Sequence, residues 1–501
     1  MTATTLAELV SKTNVQLRYL AILQPYDLDT SSTTTIYLSG EGFITSPTDS
    51  PANTFFQPRL IEPISFTRSM FSQGKVGGFT VPGFGNLVLA NGDGELDDFA
   101  DYAWDSRSVE IRVGEAGAEF QYYFTIFTGE SKSIEFDDDT VQVILRDRQD
   151  DFTIDFPPNI YSGSGVSANI VGQAKPLCFG EVYNISPVLT DSTNRVYQVH
   201  DGVINAVDAV YEGGVALTLT TDYTVDLNAG TITLVADPTG PITADVRGAK
   251  DGTVYLDSVS EIVREIVTTY AGLSDPSDLD TQSFTDLETA NSSTVGLYVP
   301  DTTDILDALD QLMNTIGGFY GFDRDGKFFV GRLELPTGSG ITPDAEFDQT
   351  NIIELTRLAS EIPNYRFRVQ YKKNYTPLDE SQFGASITQA QRDYLVRDGL
   401  FEVVEDAAVQ TAYPNSNELV IEALFAGSGA AASEATRLSQ IYDEQREVYR
   451  IRVKTQPYTL ELNDIVQITF DRYNLTSGKN FRVISVTEDA ATNEVELELW
   501  G

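Results

Sequence analysis

The chain has 501 residues, and 33 Lys and Arg against 75 Asp and Glu give it a formal charge of −42. A single core rarely grows past about 250 to 300 residues, so the length predicts several domains. Affinity for nucleic acid comes mainly from Lys and Arg at phosphates, so this composition argues against a nucleic-acid-binding protein. Cys178 is the one cysteine, which excludes an intrachain disulfide.

The N-terminal stretch MTATTLAELVSKTN lacks the basic start and long apolar run of a secretory signal. No apolar stretch approaches the ~20 residues needed to cross a bilayer. We therefore expect no membrane insertion by this chain.

Segments that alternate apolar and polar residues occur along most of the chain. They are rich in Val, Ile, Phe and Tyr, and Gly, Asp or Asn separates many of them, which is typical of strands. Alternation indicates sheets with one covered face, hence mainly antiparallel sheets. The segments are SVEIRV, TVQVILR, TITLVA, YRFRVQY, VYRIRVK, IVQITF, FRVISV and EVELEL.

The stretch ANGDGELDDF at 90–99 combines carboxylates and glycines as a calcium loop does. A helix–loop–helix calcium loop needs oxygen ligands at positions 1, 3 and 5 and glycine at 6, and no register of this stretch supplies both. We therefore predict a metal-free tight turn. Asn91 and Asp93 would bond locally to backbone, while Gly92 and Gly94 would accept positive φ. The residues that follow predict a short helical turn that packs Leu96, Phe99, Tyr102 and Trp104 against the sheet.

Signatures of catalysis are scarce. His200 is the one histidine, and it precedes an Asp-Gly turn, which predicts a surface or turn position. The chain has no G-x-S-x-G motif and no phosphate-binding G-x-x-x-x-G-K-[ST] loop. Acidic pairs mostly sit in turns, such as DDD at 137–139 and DRDG at 323–326. We predict no catalytic residues and no cofactor.

Three segments predict helices. The first spans about 258–270 and can be capped by Asp257 or Ser258. The second spans about 302–316 and ends at two glycines, 317 and 318. A weaker third helix is predicted at about 433–445.

A faint repeat links the two ends of the chain. VEIRV starts at Val109 and FTIF starts at Phe124, a spacing of 15; VQITF starts at Val466 and FRVI starts at Phe481, again 15. An acidic turn and another strand follow each pair. We interpret this as two copies of one small antiparallel barrel, although short alternating strands also match by chance. The repeated core would contain Val109, Ile111, Phe124, Ile126, Val466, Ile468, Phe481 and Val483.

The predicted fold is mainly β with a smaller α/β part, in which two similar antiparallel β-barrels flank a β insertion and an α/β unit. The predicted domains are an N-terminal barrel at 1–157, a β-rich insertion at 158–250, an α/β middle domain at 251–345, and a C-terminal barrel with a helical insertion at 346–501.

An ordered series of segments resembles tail-tip proteins of long-tailed bacteriophages and of gene transfer agents. The series begins with GFGNLVLANGDGELDDFADYAWDSRSVEIRVG and continues through YYFTIFTGESKSIEF, LRDRQDDFTIDFP and KPLCFGEVYNISPVLTDSTNRVYQVHDG. It ends with IGGFYGFDRDGKFFVGRLELP and LELNDIVQITFDRYNLTSGKNFRVISV. Each piece alone is only a turn and two strands, but together they cover most of the chain.

The resemblance implies a baseplate or tail-tip hub, similar to the central hub of contractile tails. Such hubs are trimers with two like barrels in each subunit, so that six barrels meet the sixfold tail tube. The implied partners are two further copies of the chain, the distal tail protein, other tail-tip proteins, and tape-measure protein or DNA passing through the lumen. The implied location is the virion tail tip, after assembly in the bacterial cytoplasm. Two alternatives stay open: a hexameric distal tail ring with one barrel per subunit, and a carbohydrate-binding or hydrolysing tail protein.

Overall fold

Strands dominate the computed structural model, which describes residues 3–12, 14–71, 80–163, 167–338, 340–454 and 456–501. Before residue 158 they are β1 (Leu17–Leu23), β2 (Tyr26–Asp27), β3 (Ser32–Thr33), β4 (Ile36–Ser39), β5 (Phe43–Ile44), β6 (Phe55–Pro58), β7 (Leu60–Ser69), β8 (Val81–Ala90), β9 (Tyr102–Ala103), β10 (Arg107–Glu115), β11 (Phe124–Phe136), β12 (Thr140–Arg146) and β13 (Asp155–Phe156). The next group is β14 (Leu177–Ile185), β15 (Val188–Asp191), β16 (Val196–Gln198), β17 (Ile204–Glu212), β18 (Val215–Ala216), β19 (Tyr223–Asp226), β20 (Thr231–Leu234), β21 (Ile242–Asp251) and β22 (Val254–Tyr255).

The remaining strands are β23 (Gly296–Val299), β24 (Thr303–Asp304), β25 (Gly318–Phe322), β26 (Phe328–Arg332), β27 (Ala345–Phe347), β28 (Ile352–Arg357), β29 (Arg366–Tyr371), β30 (Leu400–Glu405), β31 (Glu418–Phe425), β32 (Val448–Lys454), β33 (Ile465–Ile468), β34 (Lys479–Asp489) and β35 (Glu494–Trp500). The α-helices are α1 (Leu6–Val10), α2 (Val259–Glu265), α3 (Thr281–Ala290), α4 (Ile305–Thr315), α5 (Gln389–Leu395), α6 (Ala407–Ala412) and α7 (Ser428–Tyr442). The prediction of a mainly β fold is confirmed.

One large sheet unites the two ends of the chain. Its strand order is β28-β32-β35-β34-β7-β8-β12-β11-β10-β1-β4-β6-β5, and β33 and β27 branch from β34. Residues from both ends share a single apolar core beneath it. The predicted barrels are therefore two parts of one sheet that stays open among the described residues, although β1 curls round to pack beside β7.

The same five-stranded unit occurs twice in this sheet. The N-terminal unit consists of β7, β8, β10, β11 and β12, and the C-terminal unit of β28, β32, β33, β34 and β35. Both units have the order first-second-fifth-fourth-third, with every neighbouring pair antiparallel. Chance alternation of short strands fixes neither this order nor these pairings, so the repeat is a property of the fold.

A β-bulge marks the same place in both units. In the N-terminal unit the register of the fourth strand against the fifth shifts between Ser131 and Ser133. In the C-terminal unit it shifts between Val483 and Ser485. In both units the shift comes directly after the pairs made by the last two residues of the fifth strand, which are Leu145 and Arg146 in one unit and Leu499 and Trp500 in the other. The bulges therefore align the two units residue by residue.

The insertion between the units contributes two further cores. Residues from β14 to β21 enclose one of them. The other is formed by α2, α3, α4 and α7 with the three-stranded sheet β30-β29-β31. Residues 358–447, which interrupt the C-terminal unit, therefore pack mainly on the middle α/β part of the chain.

The hairpin of β25 and β26 separates two cores. Phe319 and Phe329 point into the core of the large sheet. Tyr320, Phe322 and Phe328 point into the helical core on the other side. Successive side chains of a strand point to opposite faces, so an almost continuously apolar hairpin fits between two apolar layers.

The first two predicted helices are confirmed. Ser258 and Glu261 form a capping box at the start of α2, and a π-helical turn, Ile266–Tyr270, continues it. Asp304 caps α4, and Gly317 follows its end with φ +62°. The third helix, α7, begins at Ser428 rather than near 433, because its alanine-rich start favours helix. Helix α3 was missed, since only Phe284 and Leu287 on it are buried apolar residues.

Candidate assembly surface

The two units join edge to edge through β7 and β34. Ser65–Ser69 pair antiparallel with Ser485–Asp489. Backbone hydrogen bonds extend the junction at both ends, from Met70 N to Ile484 O and from Ala490 N to Ile64 O, each 2.9 Å. Side chains also meet across it: Thr67 Oγ1 and Thr487 Oγ1 lie 2.9 Å apart. The first strand of one unit thus pairs with the fourth strand of the other.

Four charged side chains connect this junction to the hairpin of β25 and β26. Arg324, in the hairpin turn between β25 and β26, donates from Nε to Glu461 Oε1 (2.6 Å) and from Nη1 to Glu488 Oε1 (3.1 Å). Arg324 Nη2 also donates to Leu460 O, at 2.6 Å. Arg68 of β7 binds the other oxygen of Glu461. This charged cluster connects both units to the hairpin.

The charged cluster is largely out of water. Arg68, Arg324 and Glu488 are buried, while Glu461 is partly exposed. Burial lowers the pKa of Arg324, but Glu488 and Glu461 outweigh it and raise that pKa above its ordinary value. Burial raises the pKa of Glu461, but Arg68 and Arg324 outweigh it and hold that pKa below its ordinary value. Both residues are therefore charged at neutral pH.

A second charged group fixes α7. Glu434 is almost fully buried and accepts hydrogen bonds from Arg332 Nη2 (2.5 Å) and Arg437 Nη2 (2.6 Å). Arg437 also donates to Ile316 O and Leu333 O, where α4 and β26 end. The helix that interrupts the C-terminal unit is thereby tied to the hairpin.

One edge of β28 and one segment of β11 have no strand partner in the part of the chain that the structure describes. The strand β28 ends the large sheet and pairs only with β32. On β11, pairing with β10 stops at Ser131, so residues 132–136 pair with β12 alone. Phe136 on this segment is 42% exposed, and Ile353 on β28 is 44% exposed. Such edges can pair with another chain.

The predicted turn at 90–99 is in place. Asn91 is buried; its Oδ1 accepts from Leu96 N (2.8 Å) and its Nδ2 donates to Asp97 Oδ1 (2.9 Å). Gly94 has φ +73°, but Gly92 does not adopt positive φ, contrary to the prediction. A short helical segment, Asp97–Asp101, follows as expected.

The carboxylate of Asp93 in this turn is bound by a guanidinium. Arg59 donates to both oxygens of Asp93, at 2.8 and 2.9 Å, and holds the pKa of that carboxyl at about 2. Among the described residues there is no group of three or more His, Cys, Asp or Glu that could hold a metal ion. The turn therefore uses its oxygens for local bonds.

The predicted repeated core lies beneath the large sheet. Seven of its members are buried and Phe124 is partly buried; the seven are Val109, Ile111, Ile126, Val466, Ile468, Phe481 and Val483.

Only two of the predicted equivalences hold between the units. Val109 corresponds to Val466, and Ile111 to Ile468, by their pairing with the fourth strand. The residue opposite Val109 is Gly129, whereas Phe481 lies opposite Val466. Phe124 is therefore not the counterpart of Phe481, because the hairpin of the N-terminal unit is longer.

His200 is buried, so the predicted surface position is wrong, although a bend follows it at Asp201 and Gly202. Its Nδ1 accepts a hydrogen bond from the backbone N of Cys178, at 2.9 Å. Burial lowers the pKa of the imidazole to about 4, so it is neutral at pH 7.

An acidic groove of about 510 Å³ lies between α3, β26 and the loop that precedes β33. Burial raises the pKa of Asp323 and of Asp464 in this groove to about 6. Asp323 Oδ1 accepts from Lys327 N, and Asp464 Oδ2 accepts from Glu461 N, so both carboxylates hold their own turns. The aromatic rings along it, Phe319 and Phe329, are buried and offer no open face to a sugar.

No helix in the described part of the chain has the length and apolarity to cross a membrane.

No protein-family model matches the sequence, and no curated protein matches it. Among solved structures, the chain is similar to the tail protein from Neisseria meningitidis MC58, at 10% identity and a TM-score of 0.45 over 96% of each chain. It is similar to the 43 kDa tail protein of prophage MuSo2 from Shewanella oneidensis, at 11% identity and 0.42 over 96% of this chain and 95% of that one. It is also similar to a chain of the virion of a native gene transfer agent particle, at 12% identity and 0.40 over 68% of this chain and 88% of that one.

Proposed function

We propose that this protein is a structural component of a phage tail tip, namely a trimeric baseplate hub. It would join the sixfold tail tube to the threefold tip and line or close the DNA channel. The observation that carries the proposal is the five-stranded unit that occurs twice in one chain with the same strand order and the same bulge.

Symmetry explains why one chain would carry this unit twice. Three chains supply six units, and six similar units can meet a sixfold tube, while the rest of the chain keeps threefold symmetry. In a ring of this kind the outer strands of neighbouring units can pair with one another. The resemblance of the sequence to tail-tip proteins supports the same assignment.

The charge suits a channel wall. DNA carries a dense array of phosphates, and a protein with net charge −42 offers few cations to hold them. DNA or tape-measure protein would pass such a wall without tight binding. The partners would be two further copies of the chain, the distal tail protein and other tail-tip proteins. The protein would lie in the virion tail tip after assembly in the host cytoplasm.

A hexameric distal ring is the weaker alternative, because it needs only one unit per subunit and this chain has two. A carbohydrate-binding or hydrolysing role is also weaker, because the acidic groove presents carboxylates that already hold local turns.

Mass and symmetry test the proposal. Three chains of 55.0 kDa give a particle of about 165 kDa in native mass spectrometry. Electron cryomicroscopy of the tail tip is expected to show three copies in a ring with approximate sixfold symmetry. Six copies or one copy per particle would overturn the hub assignment.

A further inference from the structure

We infer that neighbouring subunits join by pairing β11 of one copy with β28 of the next, in the same way that β34 joins β7 within each chain. The inference rests on the proposed function for the number of copies in the ring. It names the strands, the register and the partner, which is a second copy of this chain.

The equivalence of the two units leads to this junction. Within the chain, the first strand of the N-terminal unit, β7, pairs with the fourth strand of the C-terminal unit, β34. The complementary pair consists of the first strand of the C-terminal unit, β28, and the fourth strand of the N-terminal unit, β11. Six strands separate β28 from β11 in the sheet and the two do not pair within the chain, so we place this junction between copies.

The available edges match the intrachain junction. On β34, pairing with β33 ends at Arg482, and the segment beyond the bulge, from Ser485 to Asp489, pairs with β7. On β11, pairing with β10 ends at Ser131, and the segment beyond the equivalent bulge begins at Ser133. This segment has no partner on that edge in the described structure. Each fourth strand therefore presents a free segment at the same place, and only the one on β34 is already used.

The register follows from the same alignment. Glu135 corresponds to Thr487, because each pairs with the third residue of its fifth strand, Gln142 and Glu496 respectively. Leu358 corresponds to Thr67. Phe84 and Val448 are equivalent, because each lies opposite the last residue of its fifth strand, Arg146 and Trp500 respectively. Thr67 lies opposite Phe84, and Leu358 N donates to Val448 O, so Thr67 and Leu358 occupy the same position.

Glu135 should therefore lie opposite Leu358 of the next copy, just as Thr487 lies opposite Thr67. The intrachain pair has hydroxyls 2.9 Å apart. Met70 and Ile64, three residues away on either side of Thr67, form backbone hydrogen bonds to Ile484 of β34 and to Ala490, which follows it. Hydrogen-bonded and non-hydrogen-bonded pairs alternate along antiparallel strands, so Thr67 and Thr487 form a non-hydrogen-bonded pair, in which the side chains lie closest. Two residues away, Asp137 should lie opposite Thr356, since Asp489 lies opposite Ser65.

The resulting contact is heterologous, because different strands of the two copies meet. Three such junctions between copies would alternate with the three junctions within chains and close the ring. Every fourth-strand segment would then be paired, and each C-terminal unit would contribute the end of β28 and the residues that follow it, 356–360.

Disulfide trapping tests the register. The double variant Glu135→Cys/Leu358→Cys is oxidised under native conditions and run on a non-reducing gel; the native Cys178 is fully buried and does not compete. Covalent trimers are expected. A mixture of the two single variants should stop at covalent dimers, since each chain then carries one partner of a heterologous contact. The out-of-register pair Glu135→Cys/Ile353→Cys is the matched control and should stay uncoupled.

A charge test covers the case in which the cysteine pair perturbs folding. Thr356 and Asp137 are both exposed in the single chain. Thr356→Asp should weaken the trimer severalfold and Thr356→Lys should strengthen it, and Asp137→Asn should shrink that difference. Native mass spectrometry at graded concentration measures the effect.

The outcomes separate the two proposals. A trimer that crosslinks in the predicted register, with the predicted charge response, supports the junction. A trimer with no crosslink, or with the out-of-register crosslink, overturns the junction and leaves the hub in place. A monomer or a hexamer overturns the hub itself.

Discussion

Val109 and Val466 occupy the same position in two copies of one five-stranded unit. Both are fully buried, and both lie on the third strand of their unit. Val109 faces Gly129 across the hairpin, a sequence separation of 20, while Val466 faces Phe481 at a separation of 15. The hairpin of the N-terminal unit is therefore five residues longer. The spacing of 15 in the sequence located the repeat but paired only half of its residues correctly.

Arg324→Met should destabilise the protein strongly. The change leaves Glu488 buried without its main cationic partner, and breaking a buried pair costs about 3 to 5 kcal/mol. The control Arg264→Met removes an ion pair with Asp275 whose arginine is 47% exposed, and should cost about 0 to 1 kcal/mol. Urea unfolding measures both. Equal losses in the two variants would contradict the role given to the charged cluster.

Leu309→Ala should destabilise by about 2 to 5 kcal/mol, the usual range for a buried leucine. Leu309 is fully buried on α4 in the helical core. Ile362→Ala is the control, because Ile362 is 51% exposed, and it should lie within about 0.5 kcal/mol of the wild type. A near-zero effect at Leu309 would show that the helix does not pack in this way.

Asp310 should make the protein more stable in mild acid. Burial raises the pKa of this carboxyl to about 6, against about 3.9 in an unfolded chain. The folded state therefore binds the proton more tightly, and the resulting stability is present below pH ~4 and lost as the pH rises through ~6. Asp310→Asn removes the titration but keeps an oxygen that can accept from Tyr320. The stability of the wild type relative to this variant should fall between about pH 4 and pH 7; a difference that does not change with pH would refute the linkage.

The turn at Asn91 to Gly94 should not bind calcium tightly. Arg59 already occupies both oxygens of Asp93. Isothermal calorimetry at low salt is expected to find no site tighter than about millimolar, the weak end of calcium modules. A micromolar site that disappears in Asp93→Ala would show that the turn is a calcium loop after all.

Duplex DNA should not bind appreciably at about 150 mM salt. Few phosphate contacts means little counterion release, which is the main source of such affinity. Fluorescence anisotropy with a labelled duplex measures it. Submicromolar affinity would count against a channel wall that lets DNA pass.

The sequence by itself determined the local structure. Apolar alternation placed the strands, and the stripes on α2 and α4 with their caps at Ser258 and Asp304 placed the two main helices. The glycines and short polar side chains at 90–99 specified a turn, although only Gly94, and not Gly92, has the predicted positive φ. These features depend on neighbours within a few residues, so a local pattern predicts them.

Only the tertiary structure decided how the elements meet. Strand periodicity fixes which face of a strand is covered but not which strand lies beside it. The pairing of β7 with β34 and the ion pair of Arg324 with Glu488 therefore could not be predicted from local sequence patterns. The same holds for His200, whose burial depends on strands that pack around it. It also holds for Gly129, where a Cβ would lie 2.5 Å from the ring of Phe127. The ring of Phe127 lies against this position, so a side chain like that of Phe481 does not fit there. Partners distant in sequence settle these positions, and a single sequence does not record them.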